Sequence, residues 1–193
     1  MIKLRWLFVF MLMTILFNNK AMAQWTPQPS GLPTGISVFS FHPVDPNTIW
    51  AIGLSYSRPS QGFLKSVDGG KTWRVRTIPN ASGLWFGSIF ARDSSTAWIS
   101  TVDFNCTLIA NILKTSDGGN TWVKQTTAFP ASGGCPNWVY FFDANNGVSM
   151  GDPTNGYFEI YTTTNSGDNW TRVSKDQTST QLTLTSIKLI KAL

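Results

Sequence analysis

Three nine-residue segments, KSVDGGKTW (residues 65–73), KTSDGGNTW (114–122) and TTTNSGDNW (162–170), place their tryptophans 49 and 48 residues apart. A second motif keeps the same beat upstream: Asp45 stands five residues before Trp50, Asp93 five before Trp98, and Asp143 five before Val148. Two motifs sharing one period mean that the chain is assembled from a repeated supersecondary unit, and a period of about 40–50 residues with several short strands is the β-propeller range. Each unit reads as four strands. Blade 1 is predicted at 36–41, 48–52, 63–66 and 72–76; blade 2 at 86–91, 97–101, 108–115 and 121–125; blade 3 at 139–142, 148–151, 157–163 and 170–173.

The residues between the motifs agree with an all-β reading. They are rich in Trp, Gly, Ser, Thr, Asn and Pro and poor in charge, which suits short strands joined by tight turns. No stretch after residue 24 carries an apolar stripe at helical spacing. The expected organisation is a leader at 1–23, an N-terminal segment at 24–35, blades at 36–85, 86–136 and 137–176, and a tail at 177–193 that is a partial strand or truncated blade.

The repeated hairpin is a structural device. A carboxylate or amide oxygen at the turn start accepts backbone N–H bonds from the residues ahead of it, and glycine permits the positive φ of a tight hairpin. The pattern Ser/Thr-x-Asp-x-Gly-x-Thr-Trp is complete in Ser66, Asp68, Gly70, Thr72 and Trp73, and again in Thr115, Asp117, Gly119, Thr121 and Trp122. It resembles the Asp box, or BNR repeat, of sialidases, sortilin-type propellers, xyloglucan-cleaving glycosidases and photosystem assembly factors. The third copy keeps Gly167 and Trp170 but has Asn165 for Asp, Ser166 for the first Gly and Asn169 for Thr. The resemblance covers about residues 36–175 and implies the propeller fold. It implies little about activity, because in those families the box lies at the blade rim, away from the active site. Segments such as FFDANNGVSMGDP also resemble secreted Bacteroidetes propellers.

The N-terminus reads as an export signal: Lys3 and Arg5, an apolar run at 6–17, then Ala21-Met22-Ala23, with cleavage expected between Ala23 and Gln24. Twelve helical residues rise about 18 Å, short of a hydrocarbon core of about 30 Å, so no membrane span is expected after cleavage. The expected location is secreted, cell-surface or periplasmic. Removing the leader and its three cations leaves 170 residues with a net charge of +2. No basic run remains to release phosphate counterions, which disfavours nucleic acid as a partner.

Most acids belong to turns. Asp68, Asp117 and Asp168 fall in boxes, and Asp45, Asp93 and Asp143 recur at one turn, which leaves Asp103, Asp152, Glu159 and Asp176. Glycoside hydrolysis needs two carboxyls about 5–10 Å apart. Asp103 and Asp152, in equivalent loops of adjacent blades, are the catalytic candidates, and two surface acids are the plainer account. Tyr157 and Glu159 are neighbours in one strand, and Arg74 and Arg76 read as solvated charge on an outer strand. His42 reads as a turn histidine. It has no Cys or acid at ligand spacing, so no metal site or cofactor is expected.

Alternating strands put the first and third turns of each blade on one face and the other connections opposite. Cys106 and Cys135 both fall opposite the boxes, where an oxidising compartment would join them. The same face carries Tyr56, Arg58, Trp85, Asp103, Asn105, Trp138 and Asp152 as ligand candidates, although Trp85 and Trp138 read first as blade core. Three blades do not close a ring, so the expectation is a truncated copy of a longer propeller or self-association through the open edges. The functional expectation is a non-catalytic module that binds a glycan or a protein surface. The alternatives are a glycoside hydrolase, sialidase-like or xyloglucanase-like, and an assembly or adhesion factor acting by protein contacts.

Overall fold

The computed structural model describes residues 29–55, 62–79, 81, 83–103, 110–129 and 134–175. The expected leader and its Ala23–Gln24 junction, the loop residues Tyr56, Arg58, Asn105 and Cys106, and Asp176 with the tail lie outside them. Among the described residues, twelve strands form three four-stranded antiparallel sheets, each a simple meander. The first sheet holds β1 (Ile36–Pro43), β2 (Ile49–Ser55), β3 (Gly62–Ser66) and β4 (Arg74–Thr77). The second holds β5 (Leu84–Ala91), β6 (Ala97–Asp103), β7 (Asn111–Thr115) and β8 (Val123–Gln125). The third holds β9 (Pro136–Phe141), β10 (Gly147–Thr154), β11 (Tyr157–Thr163) and β12 (Thr171–Arg172). All twelve expected strands are present, and the described residues form an all-β partial propeller of three blades.

Boundaries move where side chains capture the backbone. The outer strands of blades 1 and 2 start after the box tryptophan rather than at the box threonine, because the Asp68 and Asp117 carboxylates accept from the backbone N–H groups of Thr72 and Thr121 at 2.9 Å and from their hydroxyls at 2.6 Å. The third inner strand begins at Pro136, three residues before the expected Val139, and β10 continues past Gly151 through a bulge.

The blades stack face to face over two apolar cores. Between blades 1 and 2 lie Trp50, Ile52 and Phe63 on one side and Phe86, Ile89, Ala97 and Ile99 on the other. Between blades 2 and 3 lie Phe90, Trp98 and Ile112 against Val139, Phe141 and Tyr161. Each fully buried large side chain contributes roughly 1.5–3 kcal/mol of transfer free energy. Two of the three box tryptophans, Trp122 and Trp170, join these layers. The Trp122 ring meets Trp50 edge-on at 6.4 Å and Phe63 at 5.4 Å across the first interface. Trp170 meets Phe141 edge-on at 5.8 Å, beside the Trp98–Phe141 stack at 3.9 Å.

A hydroxyl rung repeats at each interface. The Ser40 hydroxyl oxygen accepts from the Ile89 backbone N–H at 3.2 Å, and the Ser88 hydroxyl oxygen accepts from the Val139 N–H at 3.0 Å. A ring contact repeats beside it, His42 tilted against Phe90 at 4.3 Å and Phe90 edge-on to Tyr140 at 5.1 Å. His42 is therefore a strand residue at a blade interface, not a turn residue, and burial lowers its pKa.

Candidate functional site

The strand order fixes two faces. Gly69, Gly118 and Ser166, each in a box turn, donate their N–H groups to Asn47, Ser95 and Asn145, each in the first turn of the same blade, at 2.8–2.9 Å. First turns and boxes therefore share one face, and the ends of β6 and β10 with the starts of β5 and β9 lie on the other.

On the box face, the acids are consumed by backbone. Asp45, Asp93 and Asp143 each accept at one Oδ1 from the N–H groups two and three residues ahead, at 2.7–2.8 Å. The carboxyls of Asp68 and Asp117 are brought down to about 2, first by the hydroxyls of Thr72 and Thr121 and then by the N–H groups of the same residues. The third turn reaches the same geometry with an amide. The Asn165 carbonyl oxygen accepts from Asn169 N–H at 2.9 Å, and the Thr163 hydroxyl accepts from Gly167 N–H at 3.0 Å. Ser166 takes φ 61°, where its counterparts Gly69 and Gly118 take 72° and 76°.

Of the candidates expected on the opposite face, Trp85, Asp103 and Asp152 are described there. Asp103 ends β6 opposite Leu84, next to Trp85. Asp152 lies in the bulged end of β10, where its carboxylate accepts from the Asn137 amide at 2.6 Å and its N–H donates to the Cys135 carbonyl. Cys135 is disulfide-bonded, and Cys106, the chain's other cysteine, lies outside the described residues. Trp85 is 45% exposed and Trp138 is 42% exposed, so neither is blade core as sequence suggested. Trp138 belongs to a different surface as well. It points from the outward face of blade 3, stacked on Tyr140 at 5.5 Å with the rings 6° apart.

Two groupings escaped the sequence reading. The first is a buried ionic cluster. Glu159 is 8% exposed; its carboxylate accepts from Arg172 at 2.7 and 3.0 Å, from the Tyr161 hydroxyl at 3.2 Å and from the Thr154 hydroxyl. Burial pushes the Glu159 carboxyl up, and the Arg172, Thr154 and Tyr161 donors outweigh it and hold the pKa below its ordinary value. Tyr161 is pushed up to about 12, first by burial and then by the Glu159 charge. The tyrosine beside Glu159 is thus the one two residues after it. These bonds all run within blade 3, which makes the cluster a clamp joining β11 to β12. The second grouping is a cationic groove of about 210 Å³ on the box side between blades 1 and 2, lined by Phe63, Lys65, Val67, Thr72, Arg74, Arg76 and Gly118. Arg76 donates to the Asn120 side-chain oxygen at 2.6 Å and Lys65 to the Ser94 carbonyl, while Arg74 pairs with no acid among the described residues. Sequence showed the arginines on an outer strand but not the neighbouring blade that turns the strand into a wall.

Among the described residues no three His, Cys, Asp or Glu side chains gather as a metal site, and no helix is long and apolar enough to cross a membrane.

No protein-family model matches the chain. In sequence it is 29% identical over 158 residues to the chloroplastic photosystem II stability/assembly factor HCF136 of Arabidopsis thaliana, covering 75% of this chain and 36% of the relative. It is 28% identical over 152 residues to the HCF136 of Oryza sativa subsp. japonica, covering 74% and 35%. The chain thus spans about a third of the length of these relatives. In structure it is similar to YCF48 bound to D1 peptide, with a TM-score of 0.56 and 24% identity over 74% of this chain and 41% of that one. YCF48 from Cyanidioschyzon merolae gives a TM-score of 0.55 and 24% identity over 76% and 42%. These likenesses establish the propeller fold.

Proposed function

We propose that this chain is a non-catalytic protein-binding propeller module that holds an extended segment of a partner protein. The observation that carries the reading is the sequence similarity to two stability/assembly factors over three quarters of the chain. That a propeller of the same fold has been solved with a peptide bound supports a peptide ligand. Of the two ligand classes expected from sequence, the comparisons favour the protein surface over the glycan, and they favour assembly by contact over hydrolysis. The export signal at 1–23 leads us to place the module outside the cytoplasm, with Cys135 bonded to Cys106 to brace the loops opposite the boxes.

The binding surface is the face opposite the boxes. There Trp85 offers exposed aromatic area, and Asp103 of blade 2 with Asp152 and Asn137 of blade 3 offers polar anchors at the same end of the blades. Aromatic area with a few fixed polar groups is what a peptide-binding surface requires. A specific observation supports a second place: Lys65, Arg74 and Arg76 converge on the groove between blades 1 and 2, which suits a carboxylate of the bound segment. Chemical cross-linking of the full chain in an envelope extract, followed by mass spectrometry, tests the reading. Cross-links from the surface around Trp85 to one recurring protein segment, undiminished by excess free oligosaccharide, are expected. Loss of those cross-links to oligosaccharide would overturn it.

A further inference from the structure

The cationic groove has a counterpart one blade on, and the two differ in charge. Between blades 1 and 2, Lys65 lies directly across the strand pair from Arg74, and Phe63 from Arg76. Residues paired in this way share one face of a sheet, and here it is the face of β3 and β4 that meets the blade 2 box. Between blades 2 and 3 the corresponding pairs are Lys114 with Val123 and Ile112 with Gln125. There the Lys114 ammonium is paired with the Asp168 carboxylate of the blade 3 box at 3.0 Å. The blade 2 box has Asn120 at the position of Asp168, two residues before the box tryptophan in each. The second interface thus sets one cation against one acid, while the first gathers three cations around an amide.

Among the described residues, no acid of the first groove takes over the part of Asp168. Lys65 donates to the Ser94 carbonyl and lies 4.4 Å from the Trp50 ring centroid. Arg76 donates to the Asn120 side-chain oxygen at 2.6 Å, and Arg74, exposed on β4, pairs with no acid. Like charges held side by side on a strand pair are destabilising. Burial lowers the Lys65 pKa, the Arg76 charge lowers it further, and Asp93 offsets these least. The Asp93 carboxylate is already taken up by Arg92 at 3.1 Å and by the N–H groups of Ser95 and Thr96 at 2.7 Å.

Resting on the reading of the chain as a protein-binding module, we infer that this groove is a carboxylate site for an acidic segment of the partner polypeptide. The partner's carboxylate stands where Asp168 stands one blade on, and Asn120 is the residue that keeps the place open. The planar fork of Arg74 is free to meet a carboxylate with two parallel N–H bonds. Val67, 61% exposed along the same groove, offers apolar contact to the stem of a glutamate. A volume of about 210 Å³ falls below the roughly 300–1,000 Å³ of pockets for drug-sized molecules, and it suits one acidic side chain. The site lies on the box side of the blades, so it anchors a partner independently of the surface around Trp85.

Fluorescence anisotropy of a labelled Val-Glu-Val-Glu-Val peptide, blocked at both ends and titrated with the full chain, tests this. Binding is expected for that peptide and not for its glutamine analogue. Affinity is expected to fall at least about tenfold in Arg74→Gln and in Asn120→Asp, which supplies the acid of the second interface. Lys175→Gln, which removes a cation from blade 3, is expected to stay within about twofold. Arg74, Asn120 and Lys175 are all exposed, and tryptophan fluorescence checks that each variant keeps its fold. Binding of the glutamine analogue once its C-terminus is freed, with the same dependence on Arg74 and Asn120, would support the site and assign it the terminal carboxylate. Equal affinity for the blocked glutamate and glutamine peptides would overturn the inference, as would undiminished binding to Asn120→Asp. Binding lost in Trp85→Ala but kept in Arg74→Gln would overturn it too, and would leave the protein-binding reading standing.

Discussion

Removing one hydroxyl at the second blade interface tests how the blades are held together. Ser88→Ala deletes the acceptor of the Val139 N–H, a bond of 3.0 Å between residues that are 8% and 2% exposed. The Ser88 N–H keeps its own partner, the Ser100 hydroxyl oxygen at 2.8 Å, so the loss falls on the Val139 N–H and on the Ser100 hydroxyl, which lies 3.2 Å from the deleted oxygen. A buried donor left without an acceptor costs about 1–3 kcal/mol, more than the net worth of the bond it made. For a domain of this size that is roughly 3–10 °C in melting temperature. Urea unfolding followed by tryptophan fluorescence measures it, and an unchanged slope marks a change in stability alone. Ser40→Ala at the first interface is expected to cost less, because Ser40 is only half-buried and water can reach the orphaned group. Ser37→Ala, on the exposed side of β1, is expected to stay within about 0.5 kcal/mol. A loss below about 0.5 kcal/mol in Ser88→Ala, with the slope preserved, would refute the rung as a determinant of blade stacking.

Three further outcomes follow from the same geometry. Gly119→Ala is expected to lower the urea midpoint more than Gly70→Ala: both residues sit at φ near +87°, but a Cβ at 119 would lie 2.3 Å from Phe63, whereas at 70 its nearest neighbour is 3.7 Å away. Titrating Asp117 by carboxyl-carbon NMR is expected to give a midpoint of about 2, and a midpoint near the ordinary 3.9 would mean that the Thr121 bonds do not form in solution. Glu159→Gln is expected to cost about 1–3 kcal/mol at pH 7, through its charged bonds to Arg172. The Glu159 pKa is depressed in the folded chain, so its contribution is present above the unfolded value of about 4.3 and is lost as pH falls through the folded one. The gap between wild type and variant is therefore expected to narrow between pH 5 and pH 3, as read by urea unfolding at each pH.

Sequence carried the fold because the period is written in residues with few alternatives. The boxes need glycine at positive φ and an oxygen at the turn start, and Thr163 with Asn165 shows that an amide serves where the carboxylate is gone. Which side of a blade a tryptophan faces was not legible residue by residue. Trp138 stands at a serine position of the repeat, so only comparison with the Ser40 and Ser88 rungs shows that it points outward. The Glu159 clamp was hidden for another reason. Its partner Arg172 lies 13 residues away on the next strand, and only the β11–β12 pairing brings the two together. The separation of first turns and boxes from the other connections was legible, because alternation of turns is a consequence of the meander and not of side-chain detail.

The claim that the chain is a peptide-binding module is tested most directly by offering the purified chain, in parallel, an array of extended peptides and an array of oligosaccharides. Binding to a subset of peptides is expected, weakened at least about tenfold, or about 1.4 kcal/mol, by Trp85→Ala and untouched by free oligosaccharide. Retention on oligosaccharides with no bound peptide would contradict it.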